Sequence, residues 1–234
     1  MTDRAARAAH GQNARMNLLV SQIVSLLTRG RHAGDATLAV NDPVLGVLPR
    51  TLGLRSDAFI HRGTMAQAQA GKGVGENRSP ALAWSSLPPG ATHWVLILED
   101  PDVPLRRAWV HVIAAGPAEL ARLPKGALKP SRAPAGLRFG RNTSRDVGYG
   151  GPRPLPGHGP HRFVFQLFAL RAEPPDDLLA RGRDALVPFL REHALASGRL
   201  DGLFQRDWRG RPTAPPRPPR KKRRRSSRSA KSGS

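Results

Sequence analysis

The chain contains no cysteine, a single tyrosine and few aromatic residues, and its basic residues outnumber its acidic ones. Without cysteine, disulfide bonds, thiolate catalysis and cysteine-ligated metal sites are excluded. No apolar run approaches the roughly 20 residues that a membrane-spanning helix needs. The best apolar stretch near the N-terminus is interrupted by Ser21, Gln22 and Ser25, which does not fit a secretory signal. These absences predict a soluble cytoplasmic protein, and 234 residues suffice for one domain with extensions.

Much of the positive charge lies at the C-terminus. The chain has 38 Lys and Arg against 17 Asp and Glu, a formal net charge of +21. Residues 209–234 are basic, without acids and almost without apolar side chains, so we predict a disordered polybasic tail. Its densest run is Arg220, Lys221, Lys222, Arg223, Arg224 and Arg225. This run predicts nonspecific contact with nucleic acid or anionic membranes, with a merely solubilising tail as the alternative.

Residues 1–35 form an N-terminal extension with one amphipathic stretch. Its apolar residues recur at helical spacing: Met16, Leu19, Val20, Ile23 and Leu27. Gly30 and Gly34 follow and end the pattern. We predict a helix that packs on the main domain or on a second subunit. The alternative is a helix on a membrane surface, supported by four arginines between positions 7 and 31.

Residues 36–208 carry the signals of a β-domain. Residues 94–98 are a short apolar run between two turns, which predicts a strand buried on both faces. Residues 109–113 and 162–170 predict two further strands, the last with alternating apolar faces. Strands separated by Pro- and Gly-rich turns, without alternating helices, indicate a mainly β fold, an antiparallel β-sandwich.

A few peripheral helices complete the predicted fold. Residues 175 to about 195 carry Leu and Phe at helical spacing and predict one of them. Pro188 lies inside this stretch, where the missing N–H of proline kinks or splits a helix.

Two carboxylates follow the first buried strand in a rigid turn. Asp100 and Asp102 alternate with Pro101 and, after Val103, precede Pro104. Such a turn suits metal ligation, acid–base chemistry or acceptance of hydrogen bonds, and an Asp turn capped by its own side chain is the structural alternative.

Two histidines lie in or beside the other predicted strands. His111 is inside an apolar strand, where a histidine is usually a core residue, and His161 precedes the third strand. If these histidines, the two aspartates and the Gly150-Gly151-Pro152 turn converge where strand ends meet, imidazole N–H groups and backbone amides would offer donors to a phosphate or a carboxylate.

Five segments, taken in order, resemble the phosphatidylethanolamine-binding protein family, in particular its bacterial Raf-kinase-inhibitor-like branch. They are Ser79-Pro80-Ala81-Leu82-Ala83-Trp84, Glu99-Asp100-Pro101-Asp102-Val103-Pro104, Trp109-Val110-His111, Tyr149-Gly150-Gly151-Pro152 and His161-Arg162-Phe163-Val164-Phe165. Each segment alone is a weak signal, but five in the family's order are a strong one. The resemblance covers about residues 52–208.

The resemblance implies a large central antiparallel sheet packed on a smaller one. It also implies a pocket at one end of the sandwich that binds phosphate-like anions, including phosphorylethanolamine head groups. The residues it assigns to ligand binding are Asp100, Pro101, Asp102, Pro104, Trp109, His111, Tyr149, Gly150, Gly151, Pro152, His161 and Phe204. Three positions depart from the family pattern. Phe163 and Phe204 stand where relatives have Tyr, and Val112 stands where bacterial relatives have Trp. These departures make the implied site less polar and put its head-group preference in doubt.

A non-catalytic binding protein for a small anionic ligand is therefore the leading functional prediction, without metal or cofactor. The resemblance leaves open the regulation of a partner protein and a homodimer. Association with nucleic acid or an anionic membrane through the tail is the second hypothesis. A phosphoester hydrolase is the third and weakest, because Ser144 lies in an ordinary loop and no nucleophile adjoins a base.

Overall fold

The three predicted strands form the centre of a seven-stranded sheet. In the computed structural model, which describes residues 16–214, they are β3 (His93–Asp100), β4 (Trp109–Pro117) and β7 (His161–Leu170). The other strands are β1 (Gly63–Thr64), β2 (Leu82–Ala83), β5 (Arg122–Leu123), β6 (Arg138–Gly140), β8 (Ala194–Arg206) and β9 (Pro212–Thr213).

The large sheet has the strand order β1-β8-β7-β3-β4-β6, and β9 pairs with β8. A second sheet contains only β2 and β5. The mainly β prediction is confirmed, but a purely antiparallel sheet is wrong, because β1 runs parallel to β8. The parallel pair joins only two residues on each strand, too few to leave a sequence pattern of its own.

Both faces of the central strands are buried, as the apolar run at 94–98 predicts. One face packs towards the small sheet and includes Leu96, Phe163 and Phe165. The opposite face packs against the helices and includes Ile97 and Val164. Successive side chains of a strand point to opposite faces, so a strand buried on both sides is apolar without interruption.

Two helices cover the second face, where the sequence predicts one. They are α2 (Asp176–Arg181) and α3 (Arg183–His193). The break comes at Gly182, which has a φ of 87°, and not at Pro188, which lies inside α3. A left-handed residue ends a helix completely, whereas a proline in the second turn removes one hydrogen bond. Short 3-10 turns at Asp35–Thr37, Ala39–Asn41, Gln67–Gln69 and Pro130–Arg132 shape the connections.

The N-terminal helix α1 comprises residues 16–27 and contacts the main domain, but through its polar side and not through the apolar side that the periodicity identifies. The apolar side is exposed, and the polar side faces the protein. Ser25 is buried, and the side-chain amide of Gln22 donates to the carbonyl oxygen of Trp208. Helical periodicity identifies the apolar side but does not say what covers it.

The chain continues in regular structure beyond the predicted start of the tail at residue 209. A turn over residues 208–210 leads into β9, which pairs with Gln205 and Arg206 of β8. The basic run at 220–225 lies outside the described residues. Within residues 16–214, none of the helices has the length and apolar character needed to cross a membrane.

Candidate functional site

Three predicted site residues meet where neighbouring strands end. Asp100 is the last residue of β3, His111 is the third of β4 and His161 is the first of β7. Because β3 lies between β7 and β4, its terminal carboxylate is placed between the two histidines. All three line a cavity of about 980 Å³, a size typical of small-molecule sites. We call this space the main cavity.

Most of the predicted ligand-binding residues line the main cavity. They are Asp100, Pro104, Trp109, His111, Tyr149, Gly150, Gly151 and His161. Four others are absent from its lining: Pro101, Asp102, Pro152 and Phe204. Phe204 pairs with His161 across the β7–β8 ladder and is buried in the apolar core, not at the cavity mouth.

The turn after β3 holds other parts of the protein in place. The carboxylate of Asp102 accepts three hydrogen bonds from Arg162, two from the guanidinium and one from the backbone N–H, at 2.7–2.8 Å. Burial would raise the pKa of Asp102, but these hydrogen bonds outweigh it and lower the pKa. The carbonyl oxygen of Pro101 accepts from the N–H of Gly34. Asp102 therefore anchors an arginine and does not line the cavity.

Asp100 and two histidines form a buried hydrogen-bonded chain. The Nδ1 of His161 lies 2.7 Å from an Asp100 carboxylate oxygen, and its Nε2 lies 2.9 Å from the Nδ1 of His158. The Nε2 of His158 lies 3.3 Å from the carbonyl oxygen of Thr28. Desolvation by burial and the neighbouring His161 lower the pKa of His158. Sequence reasoning missed His158, although it stands three residues before His161 in the same Gly- and Pro-rich loop.

His111, which lines the main cavity, has one unpartnered ring nitrogen. Its Nδ1 lies 2.5 Å from the carbonyl oxygen of Gly150, so Nδ1 carries the proton. Its Nε2 is buried and has no hydrogen-bond partner within residues 16–214. Desolvation by burial lowers the pKa of His111 below its ordinary 6.5, which favours the neutral ring. Neutral His111 with a protonated Nδ1 therefore has a lone pair on Nε2.

The Gly-Gly loop facing β4 is held by internal hydrogen bonds. The N–H of Gly150 donates to the carbonyl oxygen of His111, and the N–H of Gly151 donates to the side-chain oxygen of Asn77 at 2.7 Å. Asn77 also donates to the carbonyl oxygen of Tyr149. The expectation that this loop offers its backbone amides to a phosphate is therefore wrong at both glycines, because His111 accepts from one N–H group and Asn77 from the other.

The single tyrosine also has a structural partner. The Tyr149 hydroxyl donates to the carbonyl oxygen of Gln69 at 3.0 Å. Burial raises the pKa of Tyr149 well above its ordinary value, so the hydroxyl stays protonated. A Cβ at Gly151 would come within 2.2 Å of the same Gln69 carbonyl oxygen, which explains why glycine is needed there.

Cationic side chains, which sequence reasoning did not assign to the site, surround the main cavity. They are Lys72, Arg78, Lys129, Arg132 and Arg153. A second groove of about 740 Å³ adjoins the cavity through Leu105, Trp109 and Asn142, and five exposed arginines line it. These are Arg106, Arg107, Arg141, Arg145 and Arg181. Clustered cations raise the local electrostatic potential, which attracts anions.

The part of the chain from 16 to 214 contains no cluster of three or more His, Asp or Glu arranged to hold a metal ion. The imidazole nitrogens of His158 and His161 that such a site would need are engaged with each other, with Asp100 and with Thr28.

Comparisons with known proteins agree on one family. The family model described as phosphatidylethanolamine-binding protein matches residues 55–205. A protein of Methanothermobacter thermautotrophicus, named UPF0098 protein, is 34% identical over 160 residues, which are 66% of this chain and 99% of that protein. UPF0098 protein YbhB of Escherichia coli is 37% identical over 134 residues, covering 56% of this chain and 83% of YbhB. The crystal structure of E. coli YbcL aligns with a TM-score of 0.58 and 25% identity, covering 66% of this chain and 98% of YbcL.

Proposed function

We infer that the chain, which belongs to the bacterial YbhB/YbcL branch of the phosphatidylethanolamine-binding protein family, is a non-catalytic binding protein for a small phosphate-like anion. The observation that carries this proposal is the buried, unpartnered Nε2 of His111. A buried polar atom without a partner is costly, and a ligand that supplies one removes that cost.

The protonation state of His111 restricts which ligands can form a hydrogen bond at its Nε2. A neutral ring with its proton on Nδ1 accepts a hydrogen bond at Nε2 and cannot donate one there. A phosphate oxygen without a proton would therefore face a lone pair. Binding requires one additional proton, carried either by the phosphate or by the imidazole. A phosphomonoester, which keeps one titratable P–OH group near neutral pH, meets this requirement better than a phosphodiester.

The lining of the cavity also accommodates an aminoalkyl group on the phosphate. Glu76 and Asp146 are exposed acids that line the cavity, whereas His111 is buried. An ethanolamine ammonium on a phosphate bound at His111 would have two carboxylates in the same cavity, those of Asp146 and of Glu76, and Glu76 also pairs with the Arg78 guanidinium. Phosphorylethanolamine is therefore the head group that we propose to test beside inorganic phosphate.

Calorimetric titration of the full chain with inorganic phosphate and phosphorylethanolamine tests the proposal. His111→Ala removes the unpartnered nitrogen, and His93→Ala is the matched control, because His93 lies at the opposite end of β3 from Asp100. We expect saturable binding by the parent and His93→Ala, and loss of at least about tenfold in affinity for His111→Ala. The parent, His111→Ala and His93→Ala all carry the basic tail, so a difference between them cannot come from the tail. Equal binding by a folded His111→Ala variant would contradict the proposal.

The absence of catalysis is part of the proposal and needs its own assay. His111 and His161 hydrogen bond to Gly150, Asp100 and His158 and not to a hydroxyl group that they could activate. Release of phosphate from phosphomonoesters, measured for the parent and for His111→Ala, is expected at background for both. Turnover that disappears in the variant would assign the site to hydrolysis.

The tail supports a second candidate function. Six consecutive basic residues at 220–225 attract polyanions with a steep dependence on salt. Replacing these six residues by Gln is expected to abolish binding to duplex nucleic acid without changing phosphate binding at the cavity. Unchanged nucleic-acid binding would leave the tail as a solubilising segment.

A further inference from the structure

Helix α1 presents a continuous apolar side to solvent. Five residues at helical spacing, each between 52% and 73% exposed, form what we call the α1 face: Met16, Leu19, Val20, Ile23 and Leu27. Leu26, at 60% exposure, widens it. Single exposed apolar residues are ordinary, but a whole helix side of them marks an interaction surface.

The orientation of α1 is set by contacts of its polar side. Ser25 is buried, the side-chain amide of Gln22 donates to the carbonyl oxygen of Trp208, and the Arg29 guanidinium lies 5.8 Å from the Trp208 ring centre. The carbonyl oxygen of Thr28 meets His158 of the buried histidine chain. With these contacts in place, α1 cannot turn its apolar side inward.

The sequence on either side of residues 16–214 has few apolar side chains that could cover the α1 face. Residues 1–15 and 215–234 contain no Val, Ile, Leu, Phe or Trp. A second copy of the chain is disfavoured by charge, because each copy carries a formal net charge of +21. The same charge favours an anionic bilayer, where each nearby Lys or Arg contributes about 1 kcal/mol. Arg29 and Arg31, both exposed, immediately follow the helix.

The α1 face is continuous with the mouth of the main cavity. Val24 of α1 lines the cavity together with Leu105 and Val147, and all three are 40–54% exposed. The exposed cations Lys72 and Arg153 line the same opening. At a membrane surface, the apolar side chains of this rim would contact the lipid acyl chains and the cations would contact the lipid phosphates.

We propose that the α1 face docks onto a bilayer containing anionic phospholipid, with the helix parallel to the surface and the cavity mouth at the level of the head groups. Twelve residues span only about 18 Å, so α1 lies in the interface and does not cross it. This docking does not depend on an occupied cavity, and the two proposals can fail separately.

The absence of cysteine allows a direct test on the full chain. Ile23→Cys and, as a matched control, Val47→Cys are each labelled with an environment-sensitive fluorophore. Val47 is fully exposed and lies outside both α1 and the main cavity. With vesicles of phosphatidylglycerol and phosphatidylcholine, we expect a blue shift at position 23 and none at position 47. Vesicle binding without a response at position 23 would overturn the proposal.

A partition measurement distinguishes the contribution of α1 to vesicle binding from the contribution of the basic tail. The triple variant Leu19→Gln, Ile23→Gln, Leu27→Gln is compared with the double variant Val47→Gln, Ile60→Gln at about 0.5 M NaCl, where the tail is screened. We expect at least about tenfold weaker partitioning for the triple variant and no change for the double variant. Equal partitioning would overturn the proposal, and so would a dimer in light scattering that only the triple variant dissociates. Phosphate titration of the triple variant reports on the cavity independently.

Discussion

The protonation of His111 predicts a specific pH dependence of phosphate binding. Its Nδ1 is committed to the Gly150 carbonyl oxygen, so a phosphate dianion can bind at Nε2 only if one proton is taken up. Burial holds the pKa of free His111 below 6.5, and a phosphomonoester loses its second proton near pH 6. Above about pH 6.5 neither partner carries the shared proton beforehand. The association constant should therefore fall about tenfold per pH unit, about 1.4 kcal/mol.

The assay is calorimetry of the full chain with phosphorylethanolamine from about pH 6.5 to 8.5, in two buffers of different ionisation enthalpy. The difference between buffers counts the protons taken up, and one per ligand is expected. His111→Gln places an amide that can donate at the same position, so its affinity should be nearly independent of pH, while His93→Gln keeps the parental slope. Charges on Asp100 and His161 also act on His111, and His111→Gln retains both of these groups. A flat profile for the parent, or an unchanged slope in His111→Gln, would refute the reasoning.

The lowered pKa of His111 also makes the stability of the ligand-free protein depend on pH. Phosphate affinity is expected to fall as the pH rises, whereas the free energy of unfolding is expected to rise. The unfolded chain binds a proton at His111 near pH 6.5, whereas the folded chain binds it only at lower pH. The unfolded state therefore holds more protons below about pH 6.5, and the free energy of unfolding falls as the pH falls through that range. Denaturant titrations at pH 7.5 and 5.5 should show a smaller loss for His111→Gln than for the parent.

Two further predictions concern the scaffold. Arg162→Met removes the guanidinium and both of its hydrogen bonds to the buried carboxylate of Asp102, while the backbone N–H bond remains, so we expect the free energy of unfolding to fall by about 3 kcal/mol, against less than about 0.5 kcal/mol for the exposed Arg171→Met. Equal effects in urea titrations would contradict this account. Gly198→Ala places a Cβ 2.5 Å from a backbone carbonyl oxygen and should cost about 1–3 kcal/mol, whereas at Gly53 the nearest atom is 3.8 Å away. Thermal melts that rank these two glycine variants in reverse order would contradict the steric explanation.

The central sheet could be predicted because its signal is local. Residues 94–98 are apolar at every position, and burial on both faces of a central strand requires this. The long strand β8 was missed, since Gly198 and Gly202 interrupt its apolar pattern. Both glycines admit close neighbours, the backbone at Leu52 and the side chain of Met65. That requirement arises from segments about 140 residues away and leaves no periodicity in the sequence of the strand itself.

The residues of the candidate site could be named in advance, but not their hydrogen-bond partners. Resemblance identified Asp100, His111 and His161, and strand order brings them to one end of the sheet. It did not reveal that Asn77 occupies the N–H of Gly151. The residue type at position 77 was a weak signal for a turn, because asparagine is among the few residues that readily adopt a positive φ. In the structure Asn77 has a φ of 53°. Whether a donor in a loop is free depends on the whole fold.

The acidic turn after β3 has a consequence for the N-terminal extension. The carbonyl oxygens of Pro101 and Val103 accept from the N–H groups of Gly34 and Ala33. Asp35 then joins Arg162, the partner of Asp102, in an ion pair. The segment that follows α1 is thus bound to the turn after β3, and Asp100 and Pro104 of that turn line the main cavity. A helix on such an attachment keeps its position relative to the cavity mouth, so a surface that binds α1 also sets the distance of the cavity from that surface.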